Sequence, residues 1–243
     1  MALGNAALDS GSLSGNYNTA LGGDAFTNLT TGNNNLAVGA YAGQNHTTGS
    51  SNVFVGEEAA VGNTTGSYNT AVGRTALYSN TTAEDNTAVG YKAAYSNTTA
   101  NSQAAFGAYA LYSNTTGAQN TAIGRQALYL NTTASNNTAV GYQAAYSNTT
   151  GQENSAFGGK TLRLNTTGRE NTAFGERALE YNTTASNNTA IGRAAMILNT
   201  TGANNTALGW KALYNNTIAN NNTAVGYQAL YANTTGEIGR AHV

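Results

Sequence analysis

Asn137-Thr138-Ala139-Val140-Gly141-Tyr142-Gln143-Ala144-Ala145-Tyr146-Ser147-Asn148-Thr149-Thr150-Gly151-Gln152-Glu153 is one copy of a pattern that fills nearly the whole chain. Its first glycine recurs at Gly22, Gly39, Gly56, Gly73, Gly90, Gly107, Gly124, Gly141, Gly158, Gly175, Gly192, Gly209 and Gly226, in steps of 17 residues. Gly4 is an earlier copy set 18 residues upstream, so the first copy carries one inserted residue. Surface loops tolerate insertions and packed coils do not, so an unbroken register means that unit length is itself constrained.

Counting positions from that glycine, the thirteen copies show what is fixed. Position −1 is always apolar, −2 is Ala except at Phe54, and −4 is Asn except at Gln103. Position +3 is Ala except at Thr161, and +4 is apolar except at Gly43. Position +7 is Asn in eleven copies, +8 is always Thr, and +10 is always Gly or Ala. Positions +1, +2, +11 and +12 vary and hold nearly all the charge, so they are expected to face water.

Asn-Thr-Ala-Val is a short β-prone run, and side chains alternate across a strand. The apolar residue at −1 is the expected core residue, with −3 beside it and the Ala at −2 facing a closely approaching segment. Positions +3 and +4 are both apolar, which fits either a bulged second strand or one helical turn. Asn-Thr-Thr-Gly makes the corner, where Asn and Gly tolerate left-handed backbone and Thr hydroxyls reach nearby amides.

A lone coil buries too few side chains to offset the entropy of ordering it, so the copies must stack. Equivalent Asn side chains at −4 and +7 then form ladders, each amide bonding the next. The expected fold is all-β: an elongated parallel β-solenoid or β-roll over residues 1–236, about 60 Å long at about 4.8 Å per coil. The core is thin enough that self-association, as a homotrimer, is expected to help. Residues 237–243 break the pattern and resemble a translated sequencing-library adapter; they are expected to be non-native, and both ends look truncated.

Composition narrows the function. The 243 residues carry 9% charged side chains, no Pro, no Cys, 29 Gly and 15 Tyr, with a net charge of −1. That leaves no electrostatic footprint for nucleic acid, no apolar run long enough to span a bilayer, and no thiolate or disulfide chemistry. The two histidines, His46 and His242, form no pair for a metal, and carboxylates such as Glu57, Glu58, Glu84 and Asp85 sit at variable positions. No catalytic, cofactor-binding or metal-binding residue is assigned, and the chain is expected not to be an enzyme. Three ladders stand out instead: Tyr78, Tyr95, Tyr112, Tyr129, Tyr146, Tyr214 and Tyr231 at +5; Asn80, Asn97, Asn114, Asn131 and Asn148 at +7; Thr81, Thr98, Thr115, Thr132 and Thr149 at +8. The Tyr set reads either as a packing ladder or as an aromatic surface for a sugar or other partner. The Asn-Thr-Thr corners also match the N-glycosylation acceptor pattern, relevant only in a secretory host.

Asn137-Thr138-Ala139-Val140-Gly141 and Asn120-Thr121-Ala122-Ile123-Gly124 resemble the head repeats of trimeric autotransporter adhesins, and the whole unit resembles repeat arrays of phage tail-fibre-like surface proteins. The adhesin coil is shorter and lacks the Asn-Thr-Thr-Gly corner. The resemblance implies a homotrimeric parallel β-roll serving as an adhesive head or fibre shaft. The expected function is a structural or adhesive fibre segment, extracellular on a cell surface or virion, with a cell-surface glycan or receptor as candidate partner. The alternatives are a self-assembling extracellular filament and an ice-binding solenoid built on the Thr ladders.

Overall fold

The computed structural model describes residues 1–9, 11, 14–236 and 240–242, the last three through their backbone. Of the segment expected to be non-native, residues 237–239 and 243 lie outside the described residues. The chain divides into two compact units, Met1–Asn120 and Thr121–Val243. The first holds strands β1 (Ala2–Leu3), β2 (Thr19–Leu21), β3 (Leu36–Val38), β4 (Val53–Val55), β5 (Thr70–Val72), β6 (Thr87–Val89) and β7 (Ala104–Phe106). The second holds β8 (Thr121–Ile123), β9 (Thr138–Val140), β10 (Ser155–Phe157), β11 (Thr172–Phe174), β12 (Thr189–Ile191), β13 (Thr206–Leu208), β14 (Thr223–Val225) and β15 (Arg240–His242).

Within each unit, strands pair in parallel with their neighbours in sequence, and equivalent residues face each other: Ala71 opposite Ala88, Ala190 opposite Ala207. The inserted residue of the first copy is absorbed before β2, because Ala2 still meets Ala20. There is no helix among the described residues, and each unit is a parallel β-solenoid of 17-residue coils. β15 keeps the same register on β14, with Ala241 opposite Ala224.

The strand faces are the reverse of the sequence expectation. The residue at −2, Ala or in one coil Phe54, is buried from β2 to β14, and the residues at −3 and −1 are half-exposed or exposed, up to 51% at Leu3. The interior of each coil is lined by Ala at −2 and +3, Leu, Ala, Met or Phe at +4, Asn at −4 and +7, and Gly or Ala at +10. Hydrophobicity alone points Val and Ile inward; the structure instead turns the small residue at −2 toward the opposite wall, where Phe54 is accommodated beside Gly43. The +2 position is also drier than expected at Thr75, which is buried.

The second half of each coil is neither a bulged strand nor a helical turn. It is a run of turns with left-handed residues at +2, +4 and +12: in one coil, Lys92 (φ 55), Ala94 (φ 49) and Ser102 (φ 59). A non-glycine residue there costs roughly 1–2 kcal/mol. Inter-coil hydrogen bonds offset it. The Lys92 N–H donates to the Arg74 carbonyl of the preceding coil, and the Ala94 N–H to the Ala110 carbonyl of the following one. The defining glycine is required for a different reason. Gly73 has φ 134, and a Cβ there would lie 2.6 Å from the Gly90 carbonyl oxygen.

Three sequence exceptions, Gly43, His46 and Phe54, coincide in space around Phe26. Phe26, His46 and Phe54 are all fully buried, and their rings contact one another at centroid distances of 5.5–5.8 Å. A Cβ on Gly43 would fall 2.5 Å from Phe26 and 2.7 Å from Phe54. The glycine at +4 makes room both for Phe26 of the preceding coil and for the phenylalanine at −2 that follows it, so the departures at Gly43 and Phe54 belong to one repacked cluster.

Candidate functional site

The buried asparagines tie coil to coil. Along the +7 column, Asn80 Nδ2 donates to Asn63 Oδ1 at 2.7 Å and Asn97 Nδ2 to Asn80 Oδ1 at 2.9 Å. The same Nδ2 atoms also donate to the corner carbonyls of Ala83 and Ala100. Asn114 continues the column at 3.2 Å in the first unit, and Asn148 donates to Asn131 at 3.0 Å in the second. Along the −4 column, each Oδ1 accepts the backbone N–H of the next copy, as Asn52 Oδ1 does from Asn69. Buried amides are costly unless both ends are satisfied, so these ladders fix register as well as stability. Asn80, Asn97, Asn114, Asn131 and Asn148 are fully buried, which removes them as accessible glycosylation acceptors in the folded chain.

The Thr column at +8 is committed to the same task. Thr81 Oγ1 donates to the Thr98 carbonyl, Thr98 Oγ1 to Thr115 and Thr132 Oγ1 to Thr149, each at 3.1 Å, and Thr149 Oγ1 donates to Thr166 at 3.0 Å. The Thr at +9 is exposed in each of these coils.

The tyrosines at +5 stack ring on ring. Tyr78 and Tyr95 lie 4.9 Å apart and Tyr95 and Tyr112 5.3 Å apart in the first unit; Tyr129 and Tyr146, and Tyr214 and Tyr231, each lie 5.0 Å apart in the second. These distances follow the spacing of adjacent strands. Lys92 lies 5.2 Å from the Tyr95 ring and Lys211 5.2 Å from Tyr214, so two of the few cations lean on this surface. Where the column changes character, Arg163 and Glu180 occupy +5 and pair at 3.0 Å, with Arg177 on the other carboxylate oxygen.

His46 takes an Asn slot in the +7 ladder. Its Nδ1 accepts from Asn63 Nδ2 at 2.8 Å, which leaves Nε2–H to donate to the Gly49 carbonyl at 2.9 Å. Burial pushes its pKa down from 6.5 to about 4, against the opposing pull of the hydrogen bond to the Gly49 carbonyl. The ring is a neutral structural member at neutral pH. No group of three or more His, Cys, Asp or Glu able to hold a metal occurs among the described residues.

Two surfaces were not singled out from the sequence. One is the outward sheet face, where −3 and −1 present Thr beside Val, Ile, Leu or Phe with no charged residue from Thr19 to Val225. On it Phe157 and Phe174 stack at 4.4 Å. The other is a notch beside Tyr78. No family model matches the chain, and neither a curated protein nor a solved structure matches it.

Proposed function

We propose that this chain is a non-enzymatic structural segment that associates with copies of itself through the outward sheet face, as a shaft or adhesive head in a cell-surface or virion fibre. The observation that carries the reading is that face. It is uncharged and half-exposed or exposed from β2 to β14, with an unbroken apolar column at −1 beside mostly Thr at −3, and with Phe106 at 40%, Ile123 at 42% and Ile191 at 43%. Contiguous apolar surface of this kind marks interaction sites. Its repeat is matched by any other copy of the same solenoid, because both share one spacing of about 4.8 Å. A homotrimer is the assembly this reading favours, and an open filament is the alternative.

The Thr ladders support ice binding less well, because the +8 hydroxyls are spent on the next coil's carbonyls. Light scattering on the purified chain tests the proposal. The expected mass is that of a trimer or larger assembly, and Val72→Lys with Val89→Lys is expected to return it to a folded monomer. A monomeric wild-type chain at micromolar concentration contradicts it.

A further inference from the structure

The +5 column of the first unit reads Thr27, Gln44, Val61, Tyr78, Tyr95, Tyr112. From Tyr78 onward the rings stack, so one face of Tyr78 is covered by Tyr95. Its other face looks toward the coil that carries Val61, where a tyrosine rung is replaced by a much smaller side chain. The next residue, Gly62, adds none. The result is an open notch of about 420 Å³, lined by Tyr41, Gln44, Asn45, Glu58, Val61, Gly62 and Tyr78 among others. In the second unit the tyrosine column is interrupted by Arg163, Glu180 and Ile197, larger side chains than Val61, and the first two are joined by an ion pair.

We propose that this notch binds a single neutral pyranose ring, stacked on the free face of Tyr78. The notch falls within the size range of small-ligand pockets and admits one sugar ring with space around it, and its walls divide by chemistry. Tyr78 and Val61 offer flat apolar surface to the C–H face of a sugar. Gln44 and Asn45 each carry a donor and an acceptor, and Glu58 carries an acceptor with two oxygens, suited to neighbouring hydroxyls. Glu58 has no ion pair among the described residues, since the adjacent Arg74 pairs with Glu57. Its carboxylate is therefore available, and it repels uronic acids and other anionic rings. A purely aromatic ligand would leave these polar groups unmatched, which selects the hydroxylated ring. The site does not depend on the oligomeric reading above, because its walls belong to one chain.

The test uses the full chain and a panel of methyl hexopyranosides, with glucuronic acid and N-acetyltryptophanamide as contrasts, read by saturation-transfer difference NMR. A ring of this size is expected to bind with a Kd on the order of 1 mM, with saturation transferred to the ring C–H protons. Val61→Tyr restores the missing rung and fills the notch. It is expected to weaken binding at least about ten-fold while the protein melts no lower than wild type. Should Val61→Tyr fail to fold, Glu58→Gln gives the second reading: weaker neutral-sugar binding and a gain for glucuronic acid. The proposal is overturned if no neutral pyranoside saturates at about 50 mM. It is equally overturned if N-acetyltryptophanamide alone binds, or if folded Val61→Tyr binds as wild type does. A change in oligomeric mass bears only on the preceding section.

Discussion

Gly43 and Phe54 offer a direct test of how tightly the interior is coupled. Phe54→Ala installs the residue found at −2 in the other twelve copies, yet it empties a fully buried ring site and is expected to cost about 3–5 kcal/mol. Gly43→Leu installs a common +4 residue, yet its Cβ meets Phe26 at 2.5 Å and Phe54 at 2.7 Å, and overpacking is expected to cost about 1–3 kcal/mol or more. Made together, the two changes remove one of the two rings that a side chain at residue 43 meets, Phe54, and leave Phe26 to shift into the space it vacates. The leucine adopts a left-handed conformation that Leu77 and Leu111 already hold at φ 52 and 51. The double variant is expected to recover at least about 2 kcal/mol relative to the sum of the singles. Urea unfolding at pH 7.5 followed by circular dichroism measures the cycle. Additive losses would refute the idea that the two exceptions compensate.

Two further outcomes follow from the ladders. Gln103 interrupts the −4 column, and its Oε1 and Asn86 Nδ2 are buried without partners, so Gln103→Asn is expected to raise stability by about 1–2 kcal/mol in the same urea assay, with no change or a loss contradicting it. His46 has a folded pKa near 4 against 6.5 unfolded, so the unfolded chain binds more protons between those values. Its contribution is therefore complete above pH 6.5, is lost as pH falls toward 4, and amounts to about 3 kcal/mol. His46→Asn is expected to flatten that window, and an unchanged pH profile in the variant would show that another group is responsible.

The period, the register and the ladder positions were legible because identity and length recur together. A strict step of 17 residues fixes which side chains meet, whatever the path of the coil. The direction of the strand was not legible from hydrophobicity. Alternation gives two phases, and the more apolar residue, at −1, was assigned inward. A better signal was volume. Position −2 is held at Ala with one compensated exception, the restriction expected where a strand faces a close neighbour, while −1 ranges from Val to Phe. The turns at +2 and +4 gave no warning either. Left-handed backbone is usually flagged by Gly or Asn, but here Lys92, Leu77 and Ala94 occupy it, held by bonds to coils above and below. The notch beside Tyr78 was illegible for a related reason: Val61 and Gly62 look like ordinary variation until the neighbouring rings are seen to stack.

Spin-label distances test the stacking itself, and the absence of cysteine makes the labelling clean. Thr31, Thr65, Thr82, Thr99 and Thr116 occupy the exposed +9 position of successive or near-successive coils in the first unit. Doubly labelled chains pairing Thr31 with each of the others should give distances that climb by a constant step of about 4.8 Å per coil. Distances that scatter, level off or fail to grow in proportion to the number of copies between the labels would contradict a stack of equivalent residues.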